Sequence, residues 1–194
     1  MLTTMSDTSA AAPLPENPTP EVEILISADR IAARVRELGA QISHDYQNRP
    51  LRLVGVLKGA FVFLADLLRS MSHPDVTLDF LGVATYGNAS QTSGEVRVTK
   101  DLDQSIEGLD VLVVEDILDT GVTFQYLLTA LRNRKPASLR TVTLLDKPSR
   151  RIRPVQADYV GFSIPDAFVV GYGLDFAQRY RELPYIGVLK SDSP

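Results

Sequence analysis

From Val22 onward, apolar residues fall into two rhythms. Ile31, Val35, Leu38 and Ile42 recur every three or four positions, the spacing that lines one face of a helix. Ser27 and Asp29 offer cap chemistry ahead of them, and Pro50 closes the segment. Leu51–Leu57 is a short apolar run, broken by Lys58-Gly59, and it predicts a strand. A helix follows over residues 60–71 and a second strand over residues 76–84. Residues 86–94 are polar and contain glycine, which predicts a mobile loop, with a strand leaving it over residues 96–101. Residues 109–114 are an almost unbroken apolar run, as expected of a strand buried on both faces. Residues 124–134 predict a helix with Leu127, Leu128 and Leu131 on one side. Further strands are predicted over 139–145, 159–162, 168–170 and 185–189.

Strands alternating with helices point to an α/β fold, a mainly parallel twisted sheet with helices on both faces. In such sheets ligands bind beyond the carboxyl ends of the strands. Residues 1–20 show neither rhythm: they are rich in Ala, Ser, Thr and Pro, and read as a disordered tail in which Met5 is an alternative start. Residues 21–194 then form one domain, of ordinary size for 194 residues in all.

Composition narrows the function classes. Hydrophobic residues make up 44%, enough for a full core. The chain has no cysteine, which removes disulfides, zinc-thiolate sites and cysteine nucleophiles and fits a reducing cytoplasm. No apolar run approaches the ~18 residues of a membrane helix. The first 20 residues hold no Lys or Arg and lack the charged start of a signal peptide. Acidic residues outnumber basic ones 24 to 20, which argues against a general nucleic-acid coat. Arg150, Arg151 and Arg153 form one local basic cluster, the best candidate for an RNA contact or else a solvated loop near the site. His44 and His73 have no partners at metal-ligand spacing and read as surface or structural residues.

The densest chemistry is Glu115-Asp116-Ile117-Leu118-Asp119-Thr120-Gly121-Val122-Thr123. Two adjacent carboxylates at the end of a buried strand are costly unless hydroxyl donors or metal ions meet them. The stretch then opens a helix, whose free N–H groups attract phosphate. Thr120 and Thr123 add hydroxyls, and Gly121 lets the backbone come close. A plainer reading is a capped helix, with Asp119 or Thr120 as the cap and the two acids solvated.

Residues 113–123 resemble the phosphoribosyl-diphosphate loop of the type I phosphoribosyltransferases. Other stretches resemble the hypoxanthine-guanine branch of that family, in the right order over roughly residues 22–190. They are Leu57-Lys58-Gly59-Ala60, Tyr86-Gly87-Asn88 with Ser93-Gly94-Glu95-Val96, Leu144-Leu145-Asp146-Lys147-Pro148, residues 168–175, and Tyr180-Arg181. The resemblance implies a small hood built from N- and C-terminal segments. It implies transfer of a 5-phosphoribosyl group from phosphoribosyl diphosphate to hypoxanthine or guanine, in purine salvage. It also implies Mg²⁺ as cofactor, a homodimer or homotetramer, and a cytoplasmic enzyme.

Residue by residue, the resemblance puts the sugar phosphate on Glu115, Asp116, Ile117, Leu118, Asp119, Thr120, Gly121, Val122 and Thr123. Asp119 becomes the acid-base group at purine N7. Lys58, Gly59 and Arg181 bind diphosphate, with a cis peptide at Lys58. Lys147, Phe168, Val169 and Asp175 bind the purine. A lysine donates to a 6-oxygen, whereas the 6-amino group of adenine is itself a donor. Glu115, Asp116 and Asp175 meet the metal, directly or through water, and Tyr86 and Gly87 belong to a lid. Read singly, Lys58 and Lys147 also suit solvated lysines, Phe168 and Val169 plain core, and Asp175 and Arg181 surface charges. Thr85 and Phe176 depart from the family pattern, where Ser and Tyr are usual, and leave only fine substrate preference open. Two rivals are a nucleic-acid-binding regulator and an enzyme for xanthine, adenine or a pyrimidine.

Overall fold

The computed structural model describes residues 21–86 and 95–190. The predicted tail and residues 87–94 lie outside that range, with Gly87 and its lid role, whereas Tyr86, expected to open the loop, still belongs to a strand and pairs with Glu95. The elements are β1 (Val22–Ile26), α1 (Ala28–Asp45), β2 (Leu51–Leu57), α2 (Phe61–Ser70), β3 (Val76–Tyr86) and β4 (Glu95–Lys100). They continue with β5 (Asp110–Leu118), α3 (Val122–Arg132), β6 (Ser138–Asp146), β7 (Tyr159–Ser163), β8 (Val169–Val170) and β9 (Ile186–Leu189).

Six strands form one sheet in the order β4-β3-β2-β5-β6-β7. All neighbours are parallel except β3 and β4, which pair antiparallel. The central strand β5 explains why its sequence reads as unbroken apolar. Leu112 and Val114 join the core under α1 and α2, with Ile31, Val35, Leu38, Phe63 and Leu67. Val111 and Val113 face the opposite core with Leu127 and Leu131 of α3. Both faces are covered, so period-two alternation disappears. Each fully buried Val or Leu contributes about 1.5–3 kcal/mol.

A second sheet, β1-β9-β8, is antiparallel and brings the two ends of the described chain together. This is the hood that the resemblance implied. It rests on the main body partly through Tyr172, whose hydroxyl donates to Asp66 of α2 at 2.5 Å. The two histidines play no part in the chemistry described below. His44 is exposed, and His73 links Nε2 to the Tyr46 carbonyl at 2.9 Å.

Two local expectations change. Ser27 sits at the N-cap of α1, yet its side chain makes no capping bond. β5 also runs four residues past Val114, because Glu115 and Ile117 stay in register with Thr143 and Leu145 of β6. The first part of the 115–123 stretch is therefore strand rather than loop.

Candidate active site

Parallel strands end on one edge, and β2, β5, β6 and β7 deliver their following residues there together. Leu57 is followed by Lys58-Gly59, Leu118 by Asp119, Asp146 by Lys147, and Ser163 by the turn to Phe168. The Leu57–Lys58 peptide is cis, as the resemblance implied. The Lys147 N–H donates to the Leu118 carbonyl at 3.0 Å, which fixes Lys147 beside the 119 loop.

The acid pair is enclosed. Glu115 is buried, and its Oε2 has no hydrogen-bond partner. Burial and the neighbouring Asp116 push the Glu115 carboxyl well above the usual range. Burial also raises Asp116, to about 6, against hydrogen bonds from the Ile117 and Asp116 backbone and the nearby Arg181 charge, which pull it down. Asp116 lies against Gly59: a Cβ there would stand 1.5 Å from Asp116 Oδ2. A Cβ on Gly173 would meet the Gly59 carbonyl at 2.3 Å, so the hood turn touches the same spot. Arg181 then closes the group. It donates to the Gly173 carbonyl at 2.7 Å and pairs with Asp175 at 2.7 Å. Asp175 and Arg181 are thus a half-buried pair beside the acids, not loose surface charges.

These shifts have a stability consequence. Both carboxyls are raised above their unfolded values, so their protonated forms favour the fold. That stability is complete below about pH 4 and is lost as pH rises through the folded values, Asp116 at about 6 and Glu115 above the usual range. Glu115→Gln should remove the penalty. In protein free of ligand and metal, its melting temperature should exceed wild type by several degrees at pH 7.5, about 2–4 °C per kcal/mol. The gap should shrink toward pH 4.5. A gap that does not vary with pH would refute the assigned cause.

The 119 loop is built differently from a side-chain cap. Gly121, which has no side chain, is the N-cap of α3, at φ 82°, and Thr120 Oγ1, one residue earlier, accepts from the Val122 N–H at 3.4 Å. A Cβ on Gly121 would also strike Val155 Cγ2 at 2.6 Å. This glycine serves the left-handed turn and the packing of residues 151–155, rather than only the approach of a ligand. That segment grips the loop: the N–H groups of Ile152 and Arg153 donate to the Thr120 carbonyl at 2.9 and 3.1 Å. Arg151 donates to the carbonyls of Leu118, at 3.0 Å, and Asp119, and pairs with Asp146. Arg150 pairs with Asp119 at 3.2 Å. Two of the three arginines in the basic cluster are therefore engaged in a loop beside the site.

Lys147 is buried, so it is no solvated lysine. Lys58, by contrast, is exposed. Phe168 precedes β8 instead of starting it and is 56% exposed, so it is not core. It meets Phe176 edge-on, with ring centroids 5.6 Å apart at 83°. Val169 is buried. Gly173 lies in the 168–175 segment already singled out, whereas Asp166 and the Asp146–Arg151 pair are not apparent in the sequence. Their only sequence signal was position just after strand ends, which many structural residues share.

Among the described residues, no helix is long and apolar enough to cross a membrane. The phosphoribosyl transferase domain family matches residues 22–177. The hypoxanthine-guanine phosphoribosyltransferase of Bacillus subtilis (strain 168) is 54% identical over 170 residues, 87% of this chain and 93% of that protein. A crystal structure of a hypoxanthine phosphoribosyltransferase from Staphylococcus aureus superposes with a TM-score of 0.83 at 49% identity, covering 87% of this chain and 91% of that one. A hypoxanthine-guanine phosphoribosyltransferase from Bacillus anthracis, with HEPES in the active site, gives 0.83 at 46% identity, covering 88% and 100%. A domain match over most of the chain, with half-identical relatives covered almost end to end, means that the chain belongs to the phosphoribosyltransferase family.

Proposed function

We propose that the strand-end site carries out transfer of the 5-phosphoribosyl group from phosphoribosyl diphosphate to hypoxanthine or guanine, releasing diphosphate and forming IMP or GMP. The protein is a pentosyltransferase of purine salvage. The observation that carries the site assignment is the packing of Gly59 and the Gly173 turn against Asp116, beside Arg181. It brings a diphosphate-binding backbone, a cation and sugar-binding acids to one spot.

In this reading Thr120 to Thr123 hold the 5-phosphate at the start of α3. Glu115 and Asp116 accept hydrogen bonds from the ribose hydroxyls, which answers the unpartnered Oε2. Lys58, the Gly59 backbone and Arg181 take the diphosphate. Phe168 stacks on the purine, the Val169 backbone bonds its edge, and Lys147 donates to O6. Purine N9 attacks C1′ as the bond from C1′ to the diphosphate oxygen breaks. The proton on N7 passes to Asp119, which leaves a neutral product base.

Among the described residues no cluster of three acidic, His or Cys side chains forms a metal cage. Asp116 and Asp175 fit instead an ion that keeps most of its ligands from substrate oxygens, as Mg²⁺ does. When bound, Mg²⁺ neutralises charge on the leaving diphosphate. A homodimer or homotetramer in the cytoplasm completes the proposal.

The test is nucleotide formation from phosphoribosyl diphosphate, Mg²⁺ and each base in turn. Hypoxanthine or guanine should give product and adenine little. Lys147→Ala should weaken discrimination against adenine by about 10²-fold, since a buried donor is what rejects the 6-amino group. No product with either 6-oxopurine would overturn the reading.

A further inference from the structure

Arg150 has no part in the roles above, yet it stands at their centre. Its Nε donates to Asp119 Oδ1 at 3.2 Å, and its Nη1 lies 3.6 Å from Asp166 Oδ2. The two carboxylates come from separate segments. Asp119 follows β5, and Asp166 lies between β7 and β8, two residues before Phe168. Arg150 itself ends a short 3₁₀ turn, Pro148–Arg150, that begins directly after Lys147. One guanidinium therefore joins the loop of the proton acceptor, the loop of the 6-oxygen donor and the segment of the stacking ring.

The neighbouring arginine does the complementary task. Arg151 holds the Asp119 backbone through its carbonyl, while Arg150 holds the side chain. Arg150 uses only Oδ1. Among the described residues Oδ2 has no partner, so one oxygen stays available for a proton. Asp119 is 37% exposed, and an exposed carboxylate with no anchor would turn between rotamers. A planar guanidinium between two carboxylates limits that motion.

We propose that Arg150 is a positioning residue, whose bridge from Asp119 to Asp166 sets the separation between the proton-accepting oxygen and the ring that stacks on the purine. This rests on Asp119 being the proton acceptor. Exposed pairs of this kind contribute little to stability, so the fold does not depend on it.

The experiment measures steady-state kinetics and melting of Arg150→Gln, Asp166→Asn, the double variant and Asp119→Asn. Arg150→Gln should lower kcat/KM for hypoxanthine roughly tenfold, the scale of a lost charge-assisted hydrogen bond. KM for phosphoribosyl diphosphate should change by less than about twofold, because that substrate is held elsewhere. Asp166→Asn should act in the same direction. The double variant should be no worse than Arg150→Gln alone, since groups acting as one unit are not additive. Arg150→Lys should rescue only in part, because one ammonium does not span both carboxylates. A purely structural role would instead lower the melting temperature and weaken both substrates together. Unchanged kcat/KM in Arg150→Gln, or additive losses in the double variant, would overturn the inference while a collapse in Asp119→Asn keeps the site reading intact. Undiminished turnover in Asp119→Asn would remove both.

Discussion

Asp119→Asn should lower turnover by about 10²–10⁴-fold, the usual contribution of a positioned acid-base group. The amide keeps the size of the carboxylate and can still accept from Arg150 through its oxygen. It takes up no proton at neutral pH. Binding of phosphoribosyl diphosphate should survive, because the phosphate grip rests on the backbone of residues 120–123. Ile152 and Arg153 hold it at the Thr120 carbonyl, and Arg151 holds the carbonyls of Leu118 and Asp119 just before it, independently of the Asp119 side chain. Stopped-flow or initial-rate kinetics, paired with titration of the sugar diphosphate, separates the two quantities. Turnover within about threefold of wild type would remove Asp119 from the chemistry, since that loss lies far below the range for acid-base catalysis.

Gly59→Ala should be nearly as damaging, for a steric reason. Its new methyl would sit 1.5 Å from Asp116 Oδ2 and 2.6 Å from Cγ. Something must move, and the Asp116 carboxylate is the softest neighbour. Turning it away breaks its Oδ1 contact with the Ile117 N–H, now 2.7 Å, and separates it from the Gly59 backbone. The fold loses little, since a short side chain swings aside. The reaction loses the alignment of acid and diphosphate loop, and misplacement of about 1 Å costs roughly 10²-fold. The expected result is a fall of about that size in kcat/KM for phosphoribosyl diphosphate, with the melting temperature lowered by only a few degrees, on the order of 1 kcal/mol. An unaltered KM for this substrate would show that Gly59 and Asp116 do not share a ligand.

Much of this is legible in the sequence. The ends of β2 are marked by Pro50 before it and Lys58-Gly59 after it, which interrupt the apolar run. The helical spacing of Ile31, Val35, Leu38 and Ile42 marks the buried face of α1. The apolar run predicts too short a β5, since the strand continues to Leu118. Glu115 and Asp116 are poor strand residues by composition, and only pairing with β6 keeps them extended. Strand pairing is a long-range property, and local polarity gave the wrong end.

The 115–123 stretch shows the same division. Its residue types alone pointed to a phosphate held beside acids, since helix starts attract anions and paired carboxylates need donors. They also allowed a cap by Asp119 or Thr120. The tertiary structure places Gly121 at the cap position, leaves Thr120 Oγ1 to accept from the Val122 N–H at 3.4 Å, and turns Asp119 to Arg150, 31 residues later in the chain.

What the sequence by itself determined is the list of elements and the chemistry at their ends. Those follow from periodicity, glycine and proline breaks, and the donors and acceptors each side chain carries. What only the tertiary structure decided is which of those ends share a site. Parallel register sets the ends of β2, β5 and β6 side by side, the hood lays Gly173 on Gly59 with Arg181 near Asp116, and Arg150 ties Asp119 to Asp166. Such contacts join residues far apart in the chain, and no local pattern encodes the distance between them.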